Sequence, residues 1–594
     1  MDDPRNIEPV SLEELKSNSG PRSIPLVIIL GAAVAAAFIL HSTPLQSAND
    51  RSRWCTVYSL VELGTWQIDE IDATPGWSTI DKVRHNDHFY SSKPALMQSM
   101  VAGVYWCVKQ VTGWNLKDET EETTRVILLI VNLIPVVIAW LVMNGMLVRY
   151  AKGKYTKRIL LIAFIFATPI TTFLVTLNNH TAAACAIVFA LSPALRILID
   201  GRTEVRYYLA AGFFAALTFT FELPALSFVG LLGLLLLKHN PGRTLKFFLP
   251  AALIPLVAAV ATTYWQTGGW KPFYAYYGTE KYVYTFEGIP SYWSDPKSLD
   301  KAPDSFPVYF LHCTFGHHGI FSLTPLFLLM IPGWLAPKWS GPKFRWVVWM
   351  TALLTVVVLG FYLSRTENYN YGGNTSTLRW LMWLIPLWTL GLIPLLDRFG
   401  ETRWLHVVAG LFLAVGCFST YWPIENPWTP PWMFALLDRY DLLDQYDDPV
   451  PELDRTHYVW FSRLPVSQDP ANPESITLSG WDHLGHHRFI RLADGGQADG
   501  LQTLLVEDSL FSNVPQRREI VVDVEKFEAG KKISEWLIFP DDDAPEQRAE
   551  LIRLLRGVPG GRPYNRGRIR YLRTRLRTDA FTVHHAAVSG EESR

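Results

Sequence analysis

Polar residues suited to acid–base and phosphate chemistry stand at the ends of long apolar runs in this chain. Asp50 lies in Ala48-Asn49-Asp50-Arg51-Ser52-Arg53, just past the first such run. Arg51 and Arg53 are expected to pair with its carboxylate and lower its pKa. An ionised carboxylate is what a general base needs to take a proton from a hydroxyl. Glu222 precedes Pro224 with apolar residues on both sides, where a lone acid costs free energy unless paired or exposed. It is the candidate second carboxylate. Lys93, in Phe89-Tyr90-Ser91-Ser92-Lys93-Pro94, is either a snorkelling lysine or a point charge that holds a phosphate. Arg379 begins an otherwise apolar run, and Arg365 precedes it. A guanidinium suits two-bond contact with a phosphate. Gly372-Gly373, between the two arginines, lets backbone approach a ligand closely.

Asn178-Asn179-His180 fills a short connection, as helix caps or as hydrogen-bonding groups for a polar ligand. His317 and His318, with His312 ahead of them, stand at the entry to another apolar run. No i, i+4 partner or nearby acid completes a metal set. A hydrogen-bonding role, or no role, is therefore expected of the pair, and no metal ligand is assigned.

The apolar runs must position these residues. They cover 24–40, 126–148, 159–177, 181–195, 207–221, 223–237, 247–265, 320–335, 346–363, 380–396 and 405–421. About eleven candidate membrane spans result. The connections around Lys152, Arg202, Arg243, Lys343 and Arg403 are short and basic. If residues 1–23 form a cytoplasmic tail, all of these are cytoplasmic, in keeping with the positive-inside rule. The tail is long and acidic rather than short and basic, which argues against a cleaved signal peptide. The run 95–111 would invert the later loops if it crossed, so it is expected to lie at the outer interface. Residues 42–125 then form the first external loop, and every candidate residue above faces the external side. The protein is therefore expected to be an integral multi-pass membrane protein with the site extracytoplasmic.

The totals agree. Charged residues are 18% of the 594, and there are 23 Trp and 24 Tyr, as interfacial belts require. A net charge of -1 gives no reason to expect nucleic acid as a partner. Five cysteines show no CxxC pair. Residues 422–594 are not membrane-like and are expected to form an extracytoplasmic soluble α+β domain. Strand patterns appear at 457–461, 520–524 and 569–574, and a helical pattern at 545–556. Seven arginines between Arg562 and Arg577 form either a solvated face or a contact for anionic headgroups.

Asp50 after the first span, the long loop, Tyr90–Pro94 with its lysine, and Tyr371-Gly372-Gly373 before Arg379 resemble the GT-C superfamily of membrane glycosyltransferases. The likeness is to the bacterial relatives of protein O-mannosyltransferases and aminoarabinose transferases, and covers residues 24–421. It implies a GT-C-like fold and inverting transfer of a sugar from a polyprenyl-phosphate donor to a glycan, lipid or protein acceptor. On that pattern Asp50 activates the acceptor, and Lys93 and Arg379 hold the lipid phosphate with help from Arg365; Tyr90, His180, His317 and His318 are further candidates for substrate binding. Family members often carry a paired acid. Here Asn49 is an amide, which leaves Glu222 to supply it. No cofactor is called for, and participation of a divalent cation stays open. A multispan transporter or lipid flippase is the rival reading. Transporters usually place polar groups near the midplane, whereas these spans are nearly free of charge there.

Overall fold

The computed structural model describes residues 23–446, apart from 75, 287–288, 297, 302, 366–368 and 441, and beyond 446 the backbone of strands lying between 464 and 586. A helix forms at each apolar run. Among the described residues seven are long and apolar enough to cross a membrane: Thr120–Tyr150, Lys154–Val175, Asn179–Leu198, Pro241–Thr267, Phe344–Leu363, Arg379–Phe399 and Arg403–Tyr421. Four shorter apolar helices accompany them: Leu26–His41, Val205–Phe221, Leu223–His239 and Pro325–Leu335. By the length and composition of its helices this is a multispan α-helical membrane protein.

The run 320–335 departs from the single span expected of it. Helix Ile320–Leu323 stops before Pro325, which has no N–H to donate and restricts Thr324 ahead of it. A 3-10 turn Pro325–Leu329 and a short helix Met330–Leu335 follow. Helix Lys154–Phe166 ends before Pro169 for the same reason. The helix expected from Val126 instead begins at Thr120, where Glu121 and Glu122 complement the positive end of its dipole.

Contacts between connections sort them into two ends. At one, Arg149 Nε meets Asp200 Oδ2 at 2.6 Å, the Gly153 amide donates to Asp397 Oδ1 at 2.8 Å, and Arg398 lies over the Trp339 ring. This is the basic set of connections. At the other, Arg125 Nε donates to Ser42 O at 3.1 Å, Asn179 Nδ2 to Phe221 O at 2.8 Å, and the Ser376 amide to Pro427 O at 2.9 Å. The candidate residues belong to this second set.

Local rules shape the connection after the first helix. Ser47 caps helix Ala48–Tyr58, accepting from the Asn49 and Asp50 amides at 3.1 and 3.3 Å. Strands Lys82–His85 and His88–Ser91 pair through a two-residue turn. Asn86 and Asp87 in that turn have φ of 50° and 63°, as a type I′ hairpin demands. Helix Ala95–Thr112 then runs to Gly113, whose φ of 77° ends it. It buries Leu96, Val101, Tyr105 and Val108 while Met100, Trp106 and Val111 stay exposed. This two-faced pattern suits an interfacial element.

Clustering of contacts gives two compact units. The helical unit comprises Met1–Lys281 and Asp304–Leu436. It therefore takes in residues 422–436, which the sequence assigns to the tail, because Trp432 Nε1 donates to Ser419 Oγ at 2.9 Å and Gln46 Nε2 to Glu425 O at 2.8 Å. The other unit comprises Tyr282–Pro303 and Leu437–Arg594. Its strands form a mostly antiparallel sheet, with Arg517–Asp523 at the expected run 520–524. The expected elements at 457–461, 545–556 and 569–574, the arginines from 562 to 577, and tail residues 1–22 lie outside the described residues.

Small residues allow close helix packing where no hydrophobic force acts between helices. A Cβ on Gly212 would sit 2.1 Å from Phe248 O, whereas one on Gly230 would meet nothing within 4 Å. Gly212→Ala is expected to lower thermal stability in detergent by about 1–3 kcal/mol, through overpacking against rigid backbone. Gly230→Ala, measured alongside, is expected to be neutral.

Candidate active site

Asp50 is the third residue of helix Ala48–Tyr58 and is 1% exposed. Its Oδ1 accepts from the Ser47 amide at 2.7 Å and Ser47 Oγ at 3.2 Å. Its Oδ2 accepts from the Gln46 amide at 3.1 Å and Thr176 Oγ1 at 3.0 Å. The carboxylate thus closes a capping box while facing Thr176. Burial pushes its pKa up, and outweighs the lowering by the Ser47 amide, Thr176 and Arg51. The depression expected from flanking arginines does not come about. Arg51 Nε donates to Leu45 O at 2.9 Å, and Arg53 turns to other partners.

Arg53 lies one turn on from Asp50, on the same helix face. It donates to the Asn49 carbonyl at 2.7 Å and to the side chains of Asn49 and Asn179. Asn179 Nδ2 in turn donates to Glu222 Oε1 at 2.7 Å, and His180 Nδ1 contacts the same oxygen. Glu222 Oε2 meets no protein donor among the described residues. Burial raises the Glu222 carboxyl to about 8, against the pull of Arg379, Arg53 and Asn179.

Lys93 reaches the same region from the loop after the hairpin. Its Nζ lies 2.9 Å from Asp81 Oδ2. Asp81 is anchored to the Asp50 helix, since its carbonyl accepts from Ser52 Oγ at 2.6 Å. Burial lowers Lys93 to about 8, with Arg53 and Arg379 adding to the fall and Asp81 opposing it. Burial and Arg379 lower Arg53 to about 10. Arg379 NH2 donates to Gly372 O at 2.7 Å, and its guanidinium lies 4.7 Å from the Trp428 ring. Tyr371, Gly372 and Gly373 have φ of 55°, 88° and 74°, the left-handed region that brings this carbonyl onto the arginine. A Cβ on Gly372 would come within 3.3 Å of Arg379 Nε.

Three cations, Arg53, Lys93 and Arg379, therefore lie within electrostatic reach of three carboxylates, Asp50, Asp81 and Glu222, with Lys93 ion-paired to Asp81. With Glu222 protonated below about pH 8, positive charge is in excess, and the cluster suits an anion such as phosphate.

Other expected residues stand apart. Tyr90 packs at 5.3 Å on Phe273 and 6.0 Å on His85. Arg365 is exposed over Phe361. His317 and His318 are buried in contact with one another, and His318 Nε2 meets Thr375 O at 2.9 Å. Tyr371 stacks on His318 and donates to Asp304 at 2.6 Å, so this pair supports the loop that holds Arg379. No group of three or more His, Cys, Asp or Glu suited to a metal occurs among the described residues.

Sequence reasoning missed Arg53's link to Asn179, and missed Asp81, Thr176 and Trp428. Each is joined to its partner across a large separation, where no spacing rule applies. Trp428, in the Pro-rich stretch after the last long helix, offered a signal in the sequence: a large aromatic at the start of the segment expected to belong to the soluble domain.

No family model and no curated protein sequence matches the chain. Among solved structures it is similar to the oligosaccharyltransferase of Archaeoglobus fulgidus. With the apo form the TM-score is 0.36 at 12% identity, over 73% of this chain and 62% of that one. With the complex holding an inhibitory peptide and a dolichol-phosphate it is 0.34 at 13%, over 73% and 62%. With the complex holding Zn and sulfate it is 0.37 at 12%, over 73% and 59%. The chain spans about three fifths of that protein's length.

The charge network has a pH signature. Above about 8, Lys93 loses its proton and Glu222 loses its own, so both changes disfavour a bound anion. Affinity for a sulfate probe is expected to fall by about tenfold between about pH 7 and about pH 9. Titration calorimetry of the purified protein measures it, and Lys93→Ala should flatten the profile.

Proposed function

We propose that this protein is a GT-C-like membrane glycosyltransferase that moves a sugar from a polyprenyl-phosphate donor to a glycan, lipid or protein acceptor. Asp50 is its base. The observation that carries the reading is the convergence of Arg53, Lys93 and Arg379 with Asp50 and Glu222 at one end of the helical unit. A lipid-linked phosphate stays in the membrane, so its headgroup must meet its cations at a helix end. The cations neutralise the phosphate as it leaves. Asp50 takes the acceptor's proton as the hydroxyl attacks the anomeric carbon from the opposite side, with inversion. The acceptor hydroxyl displaces Ser47 Oγ, the longest of Asp50's contacts at 3.2 Å.

On this reading all eleven apolar runs cross the membrane, the run 320–335 as a helix broken at Pro325. The basic connections face the cytoplasm of a bacterial-type plasma membrane, and the site and the unit after Leu436 are extracytoplasmic. Charges gathered at one end, rather than along the spans, disfavour a transporter or flippase.

One observation favours a second assignment of the base. Asp50 already accepts four hydrogen bonds, about what a carboxylate can hold. Glu222 Oε2 accepts none from the described residues. In this version the ionised fraction of Glu222, which grows as pH rises toward about 8, takes the proton, and Asp50 organises the loop.

Two variants separate these assignments. With Asp50 as base, Asp50→Asn should bind polyprenyl phosphate normally and lose about 10²–10⁴ in transfer rate, while Glu222→Gln loses less. The reverse ranking assigns the base to Glu222. Lys93→Ala should weaken donor binding by about tenfold or more, as loss of a charged hydrogen bond does. Unchanged affinity would falsify its phosphate role.

A further inference from the structure

We infer that Trp428 is a positioning residue that couples the proposed base to the proposed phosphate cation; the inference rests on the reading of Asp50 above. The indole is 2% exposed and has two functional faces. Its Nε1 donates to Thr176 Oγ1 at 2.9 Å, and that hydroxyl donates to Asp50 Oδ2 at 3.0 Å. A hydroxyl has one proton. By occupying the oxygen of Thr176 as a donor, the indole leaves that proton directed at Asp50. The ring meanwhile lies 4.7 Å from the Arg379 guanidinium, within cation–π range.

The segment carrying Trp428 is fixed independently at two points and shaped by one bond of its own. Gln46 Nε2 donates to Glu425 O at 2.8 Å, just before the Asp50 helix. The Ser376 amide donates to Pro427 O at 2.9 Å, in the loop before Arg379. The Trp428 amide donates to Asn426 Oδ1 at 3.2 Å. Phe173 packs edge-on against the ring at 5.7 Å. Chain that follows the last long helix thus returns to bridge three connections. One rigid side chain sets the spacing between the group that accepts the proton and the group that holds the leaving phosphate.

The two faces predict a split that general destabilisation would not produce. The test uses the purified full-length chain, decaprenyl phosphate as binding probe, and release of polyprenyl phosphate from a lipid extract of the native membrane as turnover. Trp428→Phe keeps the ring and removes the N–H. Turnover should fall about tenfold with probe affinity held within about twofold, as for a misoriented but intact base. Thr176→Val should give a similar loss, and the double variant should be no slower than Thr176→Val alone. Trp428→Leu should in addition weaken probe binding by about three- to tenfold, through loss of the ring beneath Arg379.

Trp428→Phe at the wild-type rate, or additive losses in the double variant, would overturn the link to Asp50. Unchanged probe affinity in Trp428→Leu would overturn the link to Arg379. If Trp428→Leu does not fold, an unaltered turnover in Trp428→Phe still rejects the proposal. Wild-type protein that neither binds the probe nor releases polyprenyl phosphate rejects the reading of function itself, whereas Asp50→Asn that turns over normally rejects Asp50 as the base.

Discussion

Burial lowers the proton affinity of Arg53 and Lys93, the Arg379 charge lowers both further, and Arg53 adds to the fall at Lys93, since burial removes the solvent that screens such charges in the open. That repulsion has to be offset locally. Asp81 offsets it at Lys93, while Asn49 and Asn179 give Arg53 neutral acceptors. Arg379 has a carbonyl from one side and an indole from another. Glu222 holds its proton up to about pH 8, so it does not cancel the remaining charge. The network is stable as built, yet keeps a surplus that an anion would satisfy.

This constraint accounts for backbone features that otherwise look costly. Tyr371 adopts a positive φ, which disfavours a residue with a Cβ. It is kept there by ring stacking on His318 and by the bond to Asp304. The strain brings the Gly372 carbonyl to Arg379. Asp50 likewise combines two tasks, closing the capping box of its helix and meeting Thr176. A carboxylate tied this firmly is well oriented, which lowers the entropy lost on reaction. The same bonds limit how many more it can accept, which is why Glu222 competes with it for the role of base.

Much of the fold was legible in sequence because bilayer thickness imposes a length on apolar runs, and every such run is helical. Lys and Arg in short connections grouped those connections, and side-chain contacts group them in the same way. Prolines broke the run 320–335, a local rule that was present in the sequence and had been outweighed by its hydropathy. Asp50, Lys93, Glu222 and Arg379 were picked out because charged groups beside apolar runs are expensive to keep without a task.

The sequence by itself therefore determined the helices, their grouping at two ends and the charged residues worth attention, since these follow from local composition. Tertiary structure decided the partners. Arg53 turned from Asp50 to Asn179, 126 residues away, and Thr176 came to Asp50 over the same separation. Trp428 returned to Thr176 across 252 residues. Tertiary burial also reversed the sign expected for Asp50's pKa, because desolvation outweighed its neighbours. Such pairings depend on how helices pack, and packing uses contacts that no periodicity along the chain records.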